Sequence, residues 1–437
     1  MLKLSSEARQ EWRASWPAIG AGLVGAAAAQ IHFASIGVFI KPISDSMGWT
    51  ASTVTCGIFI SAMVAVPGSP LAGWLAQKFG LARIIMLGLP LFFLAFASVG
   101  LLSQSRNEWI LGWILVALCG IPVKSNLWLL WVAQKFDAAR GMAFAMVMAG
   151  AGILAIFIPI VTQLIIESVG WRATFPVLAV TMGLMAIAAC LLGFRACPPA
   201  PGERMPLSEA RRDMPGGLSI RKALRARSFW QIGLISFLIG AGLVSLQVHQ
   251  VPMFRSKGLD ARTAALIAGV FGASALAGRF VAGAFLDRYS AKIIGMLSLL
   301  LPALASLMYL AFPIRPETGA AIAALFGLGV GAEGDVLGYI TSRFFGVRSF
   351  GTIYGVTSGL FALGAGVGPL AMAQMLDHTG SYRLAMWAIF FALLLCALLF
   401  ATLGTYPTIA AGDGPGEHKE TAVPGMSTAG RTQFTRS

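Results

Sequence analysis

Charge is what this sequence has least of. Only 11% of its 437 residues are Asp, Glu, Lys or Arg, against roughly 25% in an ordinary soluble domain. So little charge cannot cover the water-facing surface of a chain this long, which excludes a soluble globule. Acidic residues are the scarcer kind, 18 against 32 basic, for a net charge of +14. That surplus does not signal nucleic acid, because the basic residues form no single face or stripe. They fall in short clusters between apolar runs, as the loops of a membrane protein do. Cysteine is sparse too: Cys56, Cys119, Cys190, Cys197 and Cys396 form no CxxC. Neither a disulfide framework nor a thiolate metal site is implied, and most of the five read as small apolar residues. A phosphate loop, a metal-ligand spacing and a nucleophile with a local base are all missing from the sequence. The expectation is therefore no catalytic residue, no metal, no cofactor and no enzyme.

What is present is apolar, 57% of the chain. A bilayer crossing takes about 20 mainly apolar residues. Such runs lie near 17–40, 50–76, 84–103, 109–132, 141–166, 173–194, 228–254, 262–286, 292–312, 318–342, 349–376 and 384–406. They predict an all-α integral membrane protein of twelve transmembrane helices, since a lipid-exposed backbone must satisfy its own hydrogen bonds. The first run is too long for a signal-peptide core and leads straight into further spans, so it is expected to be an uncleaved first helix. With the N-terminus cytoplasmic, 22 Lys and Arg fall on the inner side and 8 on the outer, while Lys124 and Arg279 remain inside spans. This asymmetry places both termini in the cytoplasm.

Residues 195–227 interrupt the pattern with Pro, Gly, Arg and acidic residues. They read as a cytoplasmic linker whose basic end, Ser219 to Ser228, either anchors as a solvated positive cluster or lies as a helix on the inner leaflet. The expected organisation is a cytoplasmic N-terminus (1–16), a six-helix bundle (17–194), the linker (195–227), a second six-helix bundle (228–406) and a disordered tail (407–437). The bundles repeat. Gly73–Gly80 corresponds to Gly283–Ser290, Gln134–Gly141 to Ser342–Ser349, and Gly170-Trp-Arg172 to Ser381-Tyr-Arg383, all at an offset of about 210 residues. Six-helix halves repeated in this way are a transporter architecture with the substrate site between them, and a monomer suffices for function.

Those repeated loops resemble a known signature. Gly73…Gly80…Arg83 and Gly283…Asp287-Arg288 are similar to the loops after helices 2 and 8 of the major facilitator superfamily. In that family, glycines permit close helix approach and the charges pair with helix ends to gate the cytoplasmic side. The first copy carries Gln77 where the family has Asp. A narrower resemblance runs through Gly37-Val-Phe-Ile-Lys-Pro-Ile-Ser…Gly48-Trp49, Gly278-Arg279…Asp287-Arg288, Gly346…Arg348-Ser-Phe-Gly…Tyr354-Gly355, Gly366-Val-Gly-Pro369 and Asp377…Gly380-Ser-Tyr-Arg383. These stretches are similar to the bacterial monocarboxylate and oxalate/formate-type branch. The resemblance implies the major facilitator fold in the bacterial inner membrane, a small carboxylate substrate, and Arg279 as its ligand. Ala275 stands where the animal carriers have an acid, and no Lys matches their helix 1 Lys near His32.

Ionisable groups inside spans are costly and point to function. Arg279 can fork a carboxylate, or else snorkel or pair permanently with an acid. Lys124, just after Pro122, adds positive potential to an anion cavity or snorkels inward. Glu333 and Asp335 lie midway along one span, and their i, i+2 spacing sends them to different faces. Either could carry a proton, or pair structurally with Arg279 or Arg343. By the repeat, Glu333 falls near the counterpart of Lys124, so the two are expected to face one cavity from opposite halves. His249 is a substrate or proton residue by resemblance and a bland interfacial His otherwise; His32 is weaker. Asn126 and Tyr339 are candidate hydrogen-bond donors to substrate.

The combined expectation is a secondary active transporter of the cell membrane that moves a small organic anion with H+ by alternating access. The alternative is a proton-driven exporter of drugs or neutral metabolites.

Overall fold

The structure, a computed structural model, describes residues 6–102, 104–136, 139–198, 220–286, 288–345 and 350–404. Every regular element among them is a helix. The N-terminal half runs α1 (Ser6–Ala28), α2 (Ile31–Met47), α3 (Ala51–Phe79), α4 (Leu81–Leu102), α5 (Arg106–Cys119), a 3-10 turn (Ile121–Val123), α6 (Ser125–Ala133) and α7 (Arg140–Ala196). After the short α8 (Ile220–Arg225), the C-terminal half runs α9 (Arg227–Arg255), α10 (Ala261–Leu286), α11 (Ala291–Ala311), α12 (Pro316–Phe345), α13 (Phe350–Thr379) and α14 (Arg383–Thr402).

Element counts differ from span counts for physical reasons. At 1.5 Å per residue, the 57 residues of α7 would reach about 85 Å, far more than one crossing of about 30 Å. Gly170 divides it: its backbone, at φ 79° and ψ 164°, is non-helical and open to glycine alone. Two apolar runs meet there, 141–166 and 173–194. The first span, by contrast, is α1 and α2 together, broken at Ala29-Gln30. The fourth span is expected as one helix over 109–132 and is instead α5, the 3-10 turn and α6, bent by 44°. Pro122 accounts for the break, because it lacks an N–H and disfavours a helical residue before it. With these three breaks counted, the described helices make the twelve expected crossings.

Each half has its own apolar core. The N-terminal core is rich in tryptophan, with Trp109, Trp113, Trp128 and Trp131 fully buried; the C-terminal core is built on Phe229, Ile232, Leu246, Phe271, Phe326 and Phe400. The halves meet where α7 packs on α10, α3 on α13 and α2 on α9. Glycines set this closeness. A Cβ on Gly37 would collide with the Val248 backbone, and one on Gly272 with the Ala155 backbone. Such small-residue contacts replace the hydrophobic drive that lipid does not supply.

At the end of the bundle away from the chain termini, polar bonds join the halves. The Asp377 carboxylate on α13 accepts from the backbone N–H groups of Ala51 and Ser52, both at 2.9 Å, and so caps α3 from across the interface. Beside it, Arg262 on α10 pairs with Glu167 on α7 at 2.7 Å.

Candidate functional site

The halves enclose a cavity of about 300 Å³, within the range of small-molecule sites. Its wall is drawn from α2, α7, α9, α10, α12 and α13, and most of it is apolar: Phe33, Val244, Phe271, Leu276, Phe361 and their neighbours. Four polar side chains interrupt that wall: Gln30, Gln247, Arg279 and Glu333.

Glycines bring the two charges together. Gly331 on α12 lies directly on the backbone of Ala275 and Arg279, and Gly278 on α10 lies on Leu328. This close crossing sets Arg279 and Glu333 on one stretch of wall, where their charges interact. Glu333 Oε2 is shut off from solvent and has no hydrogen-bond partner among the described residues. Arg279 has no ion pair among the described residues closer than 4 Å. The two charges therefore act on each other through space without a direct hydrogen bond, and the guanidinium keeps donors for a guest.

The other expected residues lie elsewhere. His249 is fully buried within the C-terminal half. Its Nε2 donates to the Pro369 carbonyl at 2.9 Å, since a carbonyl can only accept, and its Nδ1 accepts from Tyr382 Oη at 3.2 Å. Both ring nitrogens of the neutral tautomer are thus used, and His249 does not line the cavity; its neighbour Gln247 does. Of the cavities the described residues line here, Glu333 is on the wall of the large one and Lys124 is not, whereas the repeat predicts one shared space. The chain unwinds at Gly120–Pro122, and Lys124 lines a separate space of about 90 Å³ inside the N-terminal half, together with His32, Ser61 and Ser125. Asn126 is exposed, its Nδ2 donating to the Ser69 carbonyl at 3.4 Å. Tyr339 is 40% exposed and off the cavity wall. Asp335 is on α12, but its side chain lies outside the described set, as does the whole of Asp287. Gly73 and Gly283 have open space where a side chain would stand, Gly80 ends α3 at φ 91°, and Arg83 and Arg288 are exposed.

Sequence reasoning did not find Gln30 and Gln247. The available signal was an amide inside an apolar run, which a lipid-facing position would not tolerate.

Comparisons with known proteins agree with this architecture. The family model described as Major Facilitator Superfamily matches residues 22–358 and 258–433. Monocarboxylate transporter 11 of Homo sapiens is 25% identical over 80% of this chain and 74% of its own length. A chloramphenicol resistance protein of Streptomyces lividans is 27% identical, covering 80% of this chain and 86% of that protein. Among solved structures, the nucleoside transporter NupG superposes with a TM-score of 0.71 at 11% identity, over 88% of this chain and 99% of that one. At that identity the likeness speaks for the fold alone. The matched family model spans most of the chain and the helices close into the same paired bundles: this chain is a membrane transporter of the major facilitator superfamily.

Proposed function

We propose that this protein carries a small organic anion, of the monocarboxylate kind, together with a proton across the cell membrane by alternating access, with both termini in the cytoplasm. The observation that carries the reading is the Arg279–Glu333 pair on the wall of an otherwise apolar cavity between the halves. Arg279 binds the carboxylate through its planar fork of donors. While Glu333 is ionised it competes for that guanidinium. Protonation of Glu333 removes the competing charge, and the incoming carboxylate takes its place. The loaded site then holds one cation, one anion and one neutral acid. Closing the cavity over that set avoids burying an unpaired charge, which is what otherwise resists occlusion. Asp377 and the Glu167–Arg262 pair hold the end away from the termini shut in this conformation, and their release opens it. Relatives named monocarboxylate transporters support the substrate class.

A second reading, proton-driven export of an uncharged compound, draws on the apolar remainder of the wall and on the chloramphenicol resistance relative. One experiment separates them. Purified protein in proteoliposomes is offered labelled small carboxylates with and without an inward acid gradient, as wild type and Arg279→Gln. Gradient-driven uptake that Arg279→Gln abolishes supports the anion reading. Uptake of no carboxylate, or uptake indifferent to Arg279, overturns it in favour of export.

A further inference from the structure

Two of the three interrupted helices break at one place. The Ala29-Gln30 break of the first span and the Gly120–Lys124 break of the fourth face each other across the cavity of about 90 Å³. It has room for several waters and lies behind Gln30, which also lines the large cavity. Non-helical backbone at membrane depth persists only where it is buried in protein or lines a polar cavity.

The one side chain of full charge that faces this space among the described residues is a cation, Lys124. Lys124 has no acidic partner among the described residues, and none of the lining residues is an acid. Its imidazole neighbour His32, set among Phe33, Phe92 and Trp113, lies within electrostatic reach of the ammonium. The nine-residue α6 begins at Ser125 with no side-chain cap on its free N–H groups, so the positive end of its dipole points here. Most telling is Ser61 on α3. It lines the cavity, is only 7% exposed, and its hydroxyl is buried with no hydrogen-bond partner among the described residues. A carbonyl released by the break is already taken, by Trp128 Nε1 on the Val123 oxygen at 3.0 Å. The Val123 oxygen is thus occupied, while the Lys124 ammonium keeps donors for an anion.

We infer that this cavity is a second anion site, taking one small monovalent anion, a carboxylate group or a halide, on Lys124, Ser61 and the N-terminus of α6. It goes beyond the transport reading and does not require Arg279. Its size excludes the larger anions that the central cavity can hold. An occupant here neutralises the lone intramembrane cation of the N-terminal half and stabilises the two broken helices against one another.

The test is thermal unfolding of the purified full-length protein in detergent with gluconate as the background anion, titrated with sodium formate or sodium chloride. Wild type and Arg279→Gln are expected to show the same saturable rise in Tm with at least one of the two salts. Lys124→Met should weaken that affinity about tenfold or more, the worth of one charge-assisted hydrogen bond, and Ser61→Ala several-fold. Removing an unpaired buried charge does not threaten folding, so Lys124→Met should melt no lower than wild type in gluconate; should it fail to fold, Ser61→Ala carries the test. A response to formate alone identifies the carboxylate group as the ligand, and a response to both identifies small anions generally. Absence of a saturable response in wild type overturns the inference. So does a response that Arg279→Gln abolishes while Lys124→Met and Ser61→Ala leave it intact, which would assign the anion to the central cavity.

Discussion

In the C-terminal half the intramembrane charges form a pair of opposite sign on a cavity wall. In the N-terminal half a single lysine lies behind that wall, with no acid beside it among the described residues. The halves share a helix plan and not a chemistry. Arg279 and Glu333 can change their net charge by one when Glu333 takes a proton, and a ligand that answers that change is coupled to it. Lys124 has no such counterpart, and it keeps a fixed positive potential behind Gln30. On the proposed reading, the two bodies rock about their pseudo-symmetric interface and this asymmetry of charge selects what is carried with the proton.

The largest effect that would break this comparison is expected at Arg279. Arg279→Gln should weaken carboxylate binding by about 100-fold, as loss of a bidentate charged contact does, and equilibrium binding in detergent measures it. Lys124→Met should cost the same substrate far less, because Lys124 does not reach the central cavity; an equal loss at both would merge the two sites. Next comes Asp377. Asp377→Ala leaves two backbone N–H groups of α3 uncapped and removes a bond between halves, worth about 1–2 kcal/mol, so the end away from the termini should open several-fold more often. Distance measurements between spin labels on either side of that end read the shift. His249→Ala should destabilise the C-terminal half by about 1–3 kcal/mol, through the stranded Tyr382 hydroxyl and Pro369 carbonyl. It should lower the melting temperature and leave the proton dependence of transport unchanged; an altered pH profile would return His249 to the coupling machinery. The smallest effect belongs to Arg262→Ala, whose pair with Glu167 is exposed and worth about 0–1 kcal/mol.

The spans, their repeat and the family were legible because they rest on composition along the chain. Lipid demands apolar runs, and loops demand Gly and charge at fixed places. Arg279 was legible for the same reason, as a cation where none is cheap. Directions were not. His249 is as conspicuous as Arg279 in the sequence, yet its ring is held by Pro369 and Tyr382, more than 100 positions away. The place of Glu333 on the cavity wall needed the crossing of α10 on α12, which Gly278 and Gly331 bring close. Pro122 was visible too, but a proline states that a helix is strained and not which way the chain turns afterwards. After that turn Lys124 lines a cavity within its own half, beside Ser61 and Ser125.

Coupling through the Arg279–Glu333 pair is tested by comparing two modes of carboxylate flux in Glu333→Gln proteoliposomes, net uptake driven by an inward acid gradient and exchange of labelled for unlabelled substrate at equal pH. A fixed neutral amide should leave exchange intact, since Arg279 is permanently released, and should abolish the stimulation by the gradient. Gradient-driven uptake that persists in Glu333→Gln, with exchange unaffected, would contradict the account and place the proton on another group.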